Sequence, residues 1–113
     1  MPKRLSIKNA RMIKQHMHTL RILSKVGKST RLNILKKAPN TLFKALEILF
    51  RNCISGVIPV KAQHLKRYGL FMKRNSNKSA SVIKGHVIQN GGALPLLLAG
   101  LIPVIGNLLS KIF

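Results

Sequence analysis

Apolar residues recur at helical spacing along most of the chain, and no segment alternates with the period of two that marks a half-buried strand. From Leu5 to about Val26, the positions Leu5, Met12, Ile13, Leu20 and Leu23 fall near that spacing, with Lys8, Arg11, Lys14, Arg21 and Lys25 around them. This predicts one helix, stopped at Gly27, with Ser29 or Thr30 capping a shorter helix through Lys37. Pro39 ends that helix, because proline lacks the N–H the ladder needs and disfavours helix at the residue before it. Asn40-Thr41 opens the best-defined segment, Leu42 to about Ser55, where Leu42, Ala45, Leu46, Leu49 and Cys53 make one stripe widened by Phe43 and Phe50. Lys44, Glu47 and Arg51 fall largely outside that stripe, and Glu47 and Arg51 are spaced as a favourable i,i+4 pair. Gly56 is the expected C-terminal stop, followed by a Val57-Ile58-Pro59 connector. Val60 to Arg74 reads as a further helix, Asn75–Ser79 as a loop, and Ala80–Gln89 as a last short helix weakened by Gly85. The expected fold is all-α: a small basic helical body of four to five short helices, followed by an apolar C-terminal helical tail.

The pattern changes at Gly91-Gly92. From Ala93 to Phe113 the only charged side chain is Lys111, which divides the chain into a basic body, 1–90, and an apolar tail with its junction, 91–113. The 21 residues after the glycines are just long enough to span a bilayer as a helix. Pro95, Gly100, Pro103, Gly106 and Asn107 argue against a simple span. Ile102, Ile105, Leu108, Leu109 and Ile112 gather on one side of a helix, with Asn107, Ser110 and Lys111 mostly elsewhere, as in a helix lying at a membrane interface. The competing expectation is that the tail packs on the chain's own helices or on another subunit. The residues expected to meet membrane or a protein partner are Leu94, Leu96, Leu97, Leu98, Leu101, Ile102, Ile105, Leu108, Leu109, Ile112 and Phe113.

Charge then narrows the function of the body. Twenty-one Lys and Arg face a single acid, Glu47, giving a formal net charge of +20. Such a chain repels itself as it compacts and seeks phosphate. A merely soluble surface would intersperse the two signs. Phe43, Phe50, Tyr68, Phe71 and Phe113 are the only aromatics, and there is no Trp, which argues against a single-strand stacking platform. The cations recur on successive helices, which fits sequence-independent phosphate neutralisation. Lys3, Arg4, Lys8, Arg11, Lys14, Lys36, Lys37, Lys66, Arg67, Lys73 and Arg74 are the candidate contacts. A membrane-lytic protein that holds anionic headgroups would use the same charge, as would a small ribosomal-type RNA binder, although the latter gives no reason for an apolar terminus.

Enzyme chemistry finds no foothold. One carboxylate excludes acid/base pairs and divalent-metal cages, and no nucleophile–base grouping is visible, so we expect no enzyme and no cofactor. His16, His18, His64 and His86 read as surface or phosphate-contacting histidines rather than metal ligands, and Cys53, alone, as a core residue. The Met-Pro-Lys-Arg start leads into mixed residues without an apolar h-region, so no secretory signal is expected. The first 30 residues are, however, basic, acid-free and amphipathic, as in a mitochondrial presequence.

The run Gly91-Gly92-Ala-Leu-Pro-Leu-Leu-Leu-Ala-Gly-Leu-Ile-Pro103 resembles adenovirus core protein X, the precursor of the mu peptide, in which a very basic segment precedes a Gly-Gly-x-Leu-Pro-Leu-Leu run and an apolar C-terminus. The longer, Lys-rich helical body looks more like the X-type proteins of Polinton-like elements and adintoviruses. The match covers roughly residues 88–105; the body matches in composition and layout. The resemblance implies a minor virion core protein that binds and condenses viral double-stranded DNA, located in the virion and in the host nucleus during assembly, its tail contacting membrane lipid or capsid proteins. It also implies processing by a viral cysteine protease, with Gly91 and Gly92 as the junction. That protease prefers an aliphatic residue where this chain has Gln89, and Ile88 is displaced by one position. The dense arginine clusters of the mu peptide have no counterpart in the body.

Overall fold

A computed structural model of the protein describes residues 4–113 and contains only helices among them. Five helices come first: α1 (Ile7–Gln15), α2 (Met17–Leu23), α3 (Lys28–Lys37), α4 (Asn40–Ile54) and α5 (Ala62–Arg74). They are followed by one helical run of 33 residues, Ala80–Ile112. That run is α6 (Ala80–Asn90), a single 3-10 turn (Gly91–Ala93) and α7 (Leu94–Ile112). The all-α expectation holds, as does the apolar C-terminal helix.

Helix α4 is the hub. It packs against α1, α5 and α6, and buries Leu42, Phe43, Ala45, Leu46, Ile48, Leu49, Phe50 and Cys53. Its apolar face is wider than one stripe because neighbours approach it from several sides. Phe50 meets Phe71 of α5 edge-to-face, with ring centroids 5.8 Å apart and planes at 71°, a favoured aromatic geometry. Gly56 ends α4 with φ +85°, a left-handed conformation that glycine adopts without Cβ strain.

The single helix expected from Leu5 to Val26 is broken at His16, whose backbone leaves the helical region (φ −108°, ψ 8°). The break redirects the chain: α1 lies mainly on α4, whereas α2 lies on α7. A straight helix would carry Met17, Leu20 and Leu23 away from the partner that buries them. Ser6 caps α1, its Oγ accepting from the Asn9 N–H at 3.1 Å. Gly27 is not a stop but the N-cap residue of α3, and neither Ser29 nor Thr30 caps that helix.

The tail is part of the core. Leu94, Leu97, Leu98, Leu101, Ile105 and Leu109 join one apolar cluster with Ile13, Leu20, Leu23, Leu46 and Leu49 of the basic part. The compositional division at residues 90 and 91 is therefore not a division of packing. A radius of gyration of 13.0 Å matches the roughly 13 Å of a packed chain of about 100 residues. Gly100 of α7 makes room for the His64 ring of α5, which a Cβ there would overlap.

Candidate nucleic-acid interface

Most of the cations follow from a helix's buried face. Where one side of a helix meets the core, the remaining positions face solvent, and the sequence fills those positions with Lys and Arg. Of the described Lys and Arg side chains, all are exposed except buried Arg31 and half-buried Arg51 and Lys84. The expected contacts Arg4, Lys8, Arg11, Lys14, Lys36, Lys37, Lys66, Arg67, Lys73 and Arg74 are all on the surface. Lys3 lies outside the described residues. Lys36 and Lys37 occupy the last turn of α3, where a helix C-terminus favours positive charge. The Lys36 carbonyl also accepts from Lys84 Nζ at 3.1 Å.

Almost none of this charge is neutralised internally. Glu47, although outside the Leu42–Cys53 stripe, is buried, 3% exposed. The reason is the α5–α6 loop, which folds over it: the Asn77 N–H donates to Glu47 Oε2 at 3.1 Å. Lys44 Nζ lies 3.6 Å from Oε1, and Arg51 Nε lies 3.0 Å from Oε2, an ion pair by distance without hydrogen-bond alignment. Among the described residues these are the only ion pairs, so the sole acid anchors a loop rather than offsetting the surface. The same loop is held by Asn75 Nδ2 donating to the Phe71 carbonyl at 2.8 Å, and by Asn75 Oδ1 lying 3.1 Å from His86 Nδ1.

The structure gathers some cations and separates others. Lys73, Arg74 and Lys78 share a cleft with Leu70 and His86, and Lys73 and Lys78 also border a second cleft with Arg51. Lys14 and Arg21 line one cleft with His18 and Phe113, and Lys14 Nζ lies 4.5 Å from the Phe113 ring centroid, a cation–π contact. Lys36 lies in a different cleft, lined by α3 residues. Lys78, Arg21, Lys25, Lys28 and Lys61 are exposed as well and were not among the sequence candidates. Lys78 was legible only as the position four after Arg74, beyond a helix end.

The histidines and the tail are placed unevenly. His18 is exposed and His64 and His86 are half-buried, but His16 is buried at the α1–α2 break, its Nε2 without a hydrogen-bond partner. Burial holds the His16 pKa below its ordinary 6.5 and pushes the Cys53 thiol up to about 12. Among the described residues, no three His, Cys, Asp or Glu side chains are grouped to hold a metal ion. Of the expected membrane or partner contacts, Leu94, Leu97, Leu98, Leu101, Ile105 and Leu109 are inside the chain's own core. Leu96 is 66% exposed, Phe113 is exposed, and Ile102, Leu108 and Ile112 are half-buried. Gly91 is buried and Gly92 exposed, both within the 3-10 turn of a continuous helical run rather than in an open loop. The Ala80–Ile112 run has a window of mean hydropathy 2.0, long and apolar enough to cross a membrane, a test that core helices also pass. No family model, curated protein or solved structure matches the chain.

Proposed function

We propose that this is a non-enzymatic virion core protein that binds and condenses double-stranded DNA without reading a defined sequence. The observation that carries the reading is a surface on which nearly every Lys and Arg is exposed while the only acid is buried. Such a surface gains affinity by releasing counterions condensed on DNA, a term indifferent to sequence. Cations distributed over several helices present phosphate contacts on more than one side, which is what linking and compacting duplexes requires. The virion setting, nuclear assembly and the viral protease as a processing partner rest on the resemblance of residues 88–105. Exposed Leu96 and Phe113, with the half-buried Ile102, Leu108 and Ile112, are what the fold leaves for membrane lipid or capsid contact.

Titration of plasmid DNA with the full chain, followed by light scattering and sedimentation, tests this reading. Compaction is expected as protein charge approaches phosphate charge, together with equal affinity for unrelated duplexes of one base composition. Plasmid that stays extended at charge equivalence contradicts it. The apolar run Ala80–Ile112 favours a second reading, a membrane-lytic protein. It requires α7 to leave the core, and full-length protein that never releases dye from anionic vesicles excludes it.

A further inference from the structure

Helix α5 leaves most of its surface uncovered by the rest of the fold. Only Tyr68 and Met72 are buried, and the helix is held from one side by α4 and α7. Its outward face comprises Gln63, Lys66, Arg67, Leu70, Lys73 and Arg74, all exposed. At about 100° per residue, these six fall within roughly a third of the helix circumference. Within that arc the types are sorted. Gln63 and Leu70 run along the midline, Lys66 and Lys73 form one edge, and Arg67 and Arg74 form the other. Leu70 is 80% exposed, the most exposed large apolar side chain described, and it is bounded by four cations.

We infer that α5 enters the DNA major groove, with its lysine edge against the phosphates of one strand, its arginine edge against those of the other, and Leu70 against the base edges. A helix with its side chains is about 10–12 Å across, and the major groove is about 12 Å wide. The two cation pairs on α5 are seven residues apart, about 10.5 Å along the axis, so each edge reaches more than one phosphate. Lys78, in the clefts at the C-terminal end of α5, extends the cationic surface where the strand leaves the helix. An exposed leucine on the midline has one apolar partner in that groove, the thymine C5-methyl group. Gln63, on the same line, carries the amide that pairs with an adenine edge. A single leucine among four cations is too narrow an apolar face for insertion into lipid, which needs a continuous stripe. This inference rests on the nucleic-acid reading above and adds a groove, a helix and a bias toward A·T pairs to it.

Full-length protein binding to an A·T-rich duplex, compared with the same duplex carrying uracil for thymine, isolates the methyl contact. One buried methyl corresponds to about a fourfold affinity difference, so the wild type should bind the uracil duplex about fourfold more weakly. Leu70→Ala should abolish that difference, whereas Ile7→Ala, at a 61% exposed position on α1, should retain it. Equal binding of both duplexes by the wild type, or discrimination that survives Leu70→Ala, overturns the groove inference and leaves phosphate binding standing. Failure to bind either duplex removes the function proposed above, and the groove inference with it.

Discussion

Ending the chain at Gly92 should unfold the basic part rather than release it. The truncation removes Leu94, Leu97, Leu98, Leu101, Ile105 and Leu109, each at most 7% exposed. Burying a side chain of this kind is worth about 1.5–3 kcal/mol, so the six together contribute roughly 9–18 kcal/mol. A compact unfolded state lowers that figure by about 10–40%. What remains is still comparable to the whole stability of a small domain, about 5–15 kcal/mol. Self-repulsion of the +20 charge leaves no reserve to absorb the loss. Circular dichroism at 222 nm with thermal and urea melts provides the assay. The full chain should melt cooperatively, and residues 1–92 should show a broad or absent transition. Two point variants resolve the same question: Leu98→Ala should cost about 2–5 kcal/mol, and Leu96→Ala, at a 66% exposed position on the same helix, under about 0.5 kcal/mol. Residues 1–92 melting cooperatively with the helicity of the corresponding part of the full chain would refute the reasoning, since the tail would then be an appendage.

Other consequences follow from buried polar groups. The Cys53 thiol, pushed up to about 12, should resist thiol reagents in the folded protein at neutral pH and react on unfolding; rapid labelling in native buffer contradicts its placement. Because burial lowers the folded pKa of His16 below 6.5, the unfolded chain takes up that proton first as pH falls. Stability is therefore complete above the unfolded value and declines as pH drops through it toward the folded value. His16→Gln should flatten this part of the Tm–pH curve, and an unchanged curve rules His16 out as its source. Glu47→Ala should cost about 1–3 kcal/mol by stranding the Asn77 N–H and the buried Nε of Arg51. Glu47→Gln should cost less, since its amide oxygen still accepts from Asn77; urea melts of the two variants separate these outcomes.

Local pattern carried much of the architecture. The stripe from Leu42 to Cys53 located α4, and Gly56 and the Asn75–Ser79 breakers marked real ends because their causes lie within a few residues. The break at His16 was invisible because it depends on two distant partners, α4 and α7, that pull successive turns in different directions. Burial of Glu47 was invisible for the same reason, since the loop that covers it lies thirty residues away. The exposed cations could be anticipated, because a charged residue opposite an apolar stripe has nowhere else to go. Which cations meet was not legible: Lys78 joins Lys73 and Arg74 through a loop conformation that no periodicity encodes. For the tail, the sequence gives an apolar face without its partner, and six residues that suit lipid are satisfied by α1, α2 and their neighbours.

We propose that the exposed cations are displayed to neutralise DNA phosphates, and the salt dependence of duplex affinity tests this most directly. Fluorescence anisotropy of the full chain on a short duplex, from about 50 to 200 mM salt, gives the slope of log K against log salt. If about 6–10 phosphates are neutralised, that slope lies at about −5 to −9 and affinity falls by about 10³–10⁵ across the range. Binding that is absent at the lowest salt, or a slope no steeper than about −1, contradicts the account.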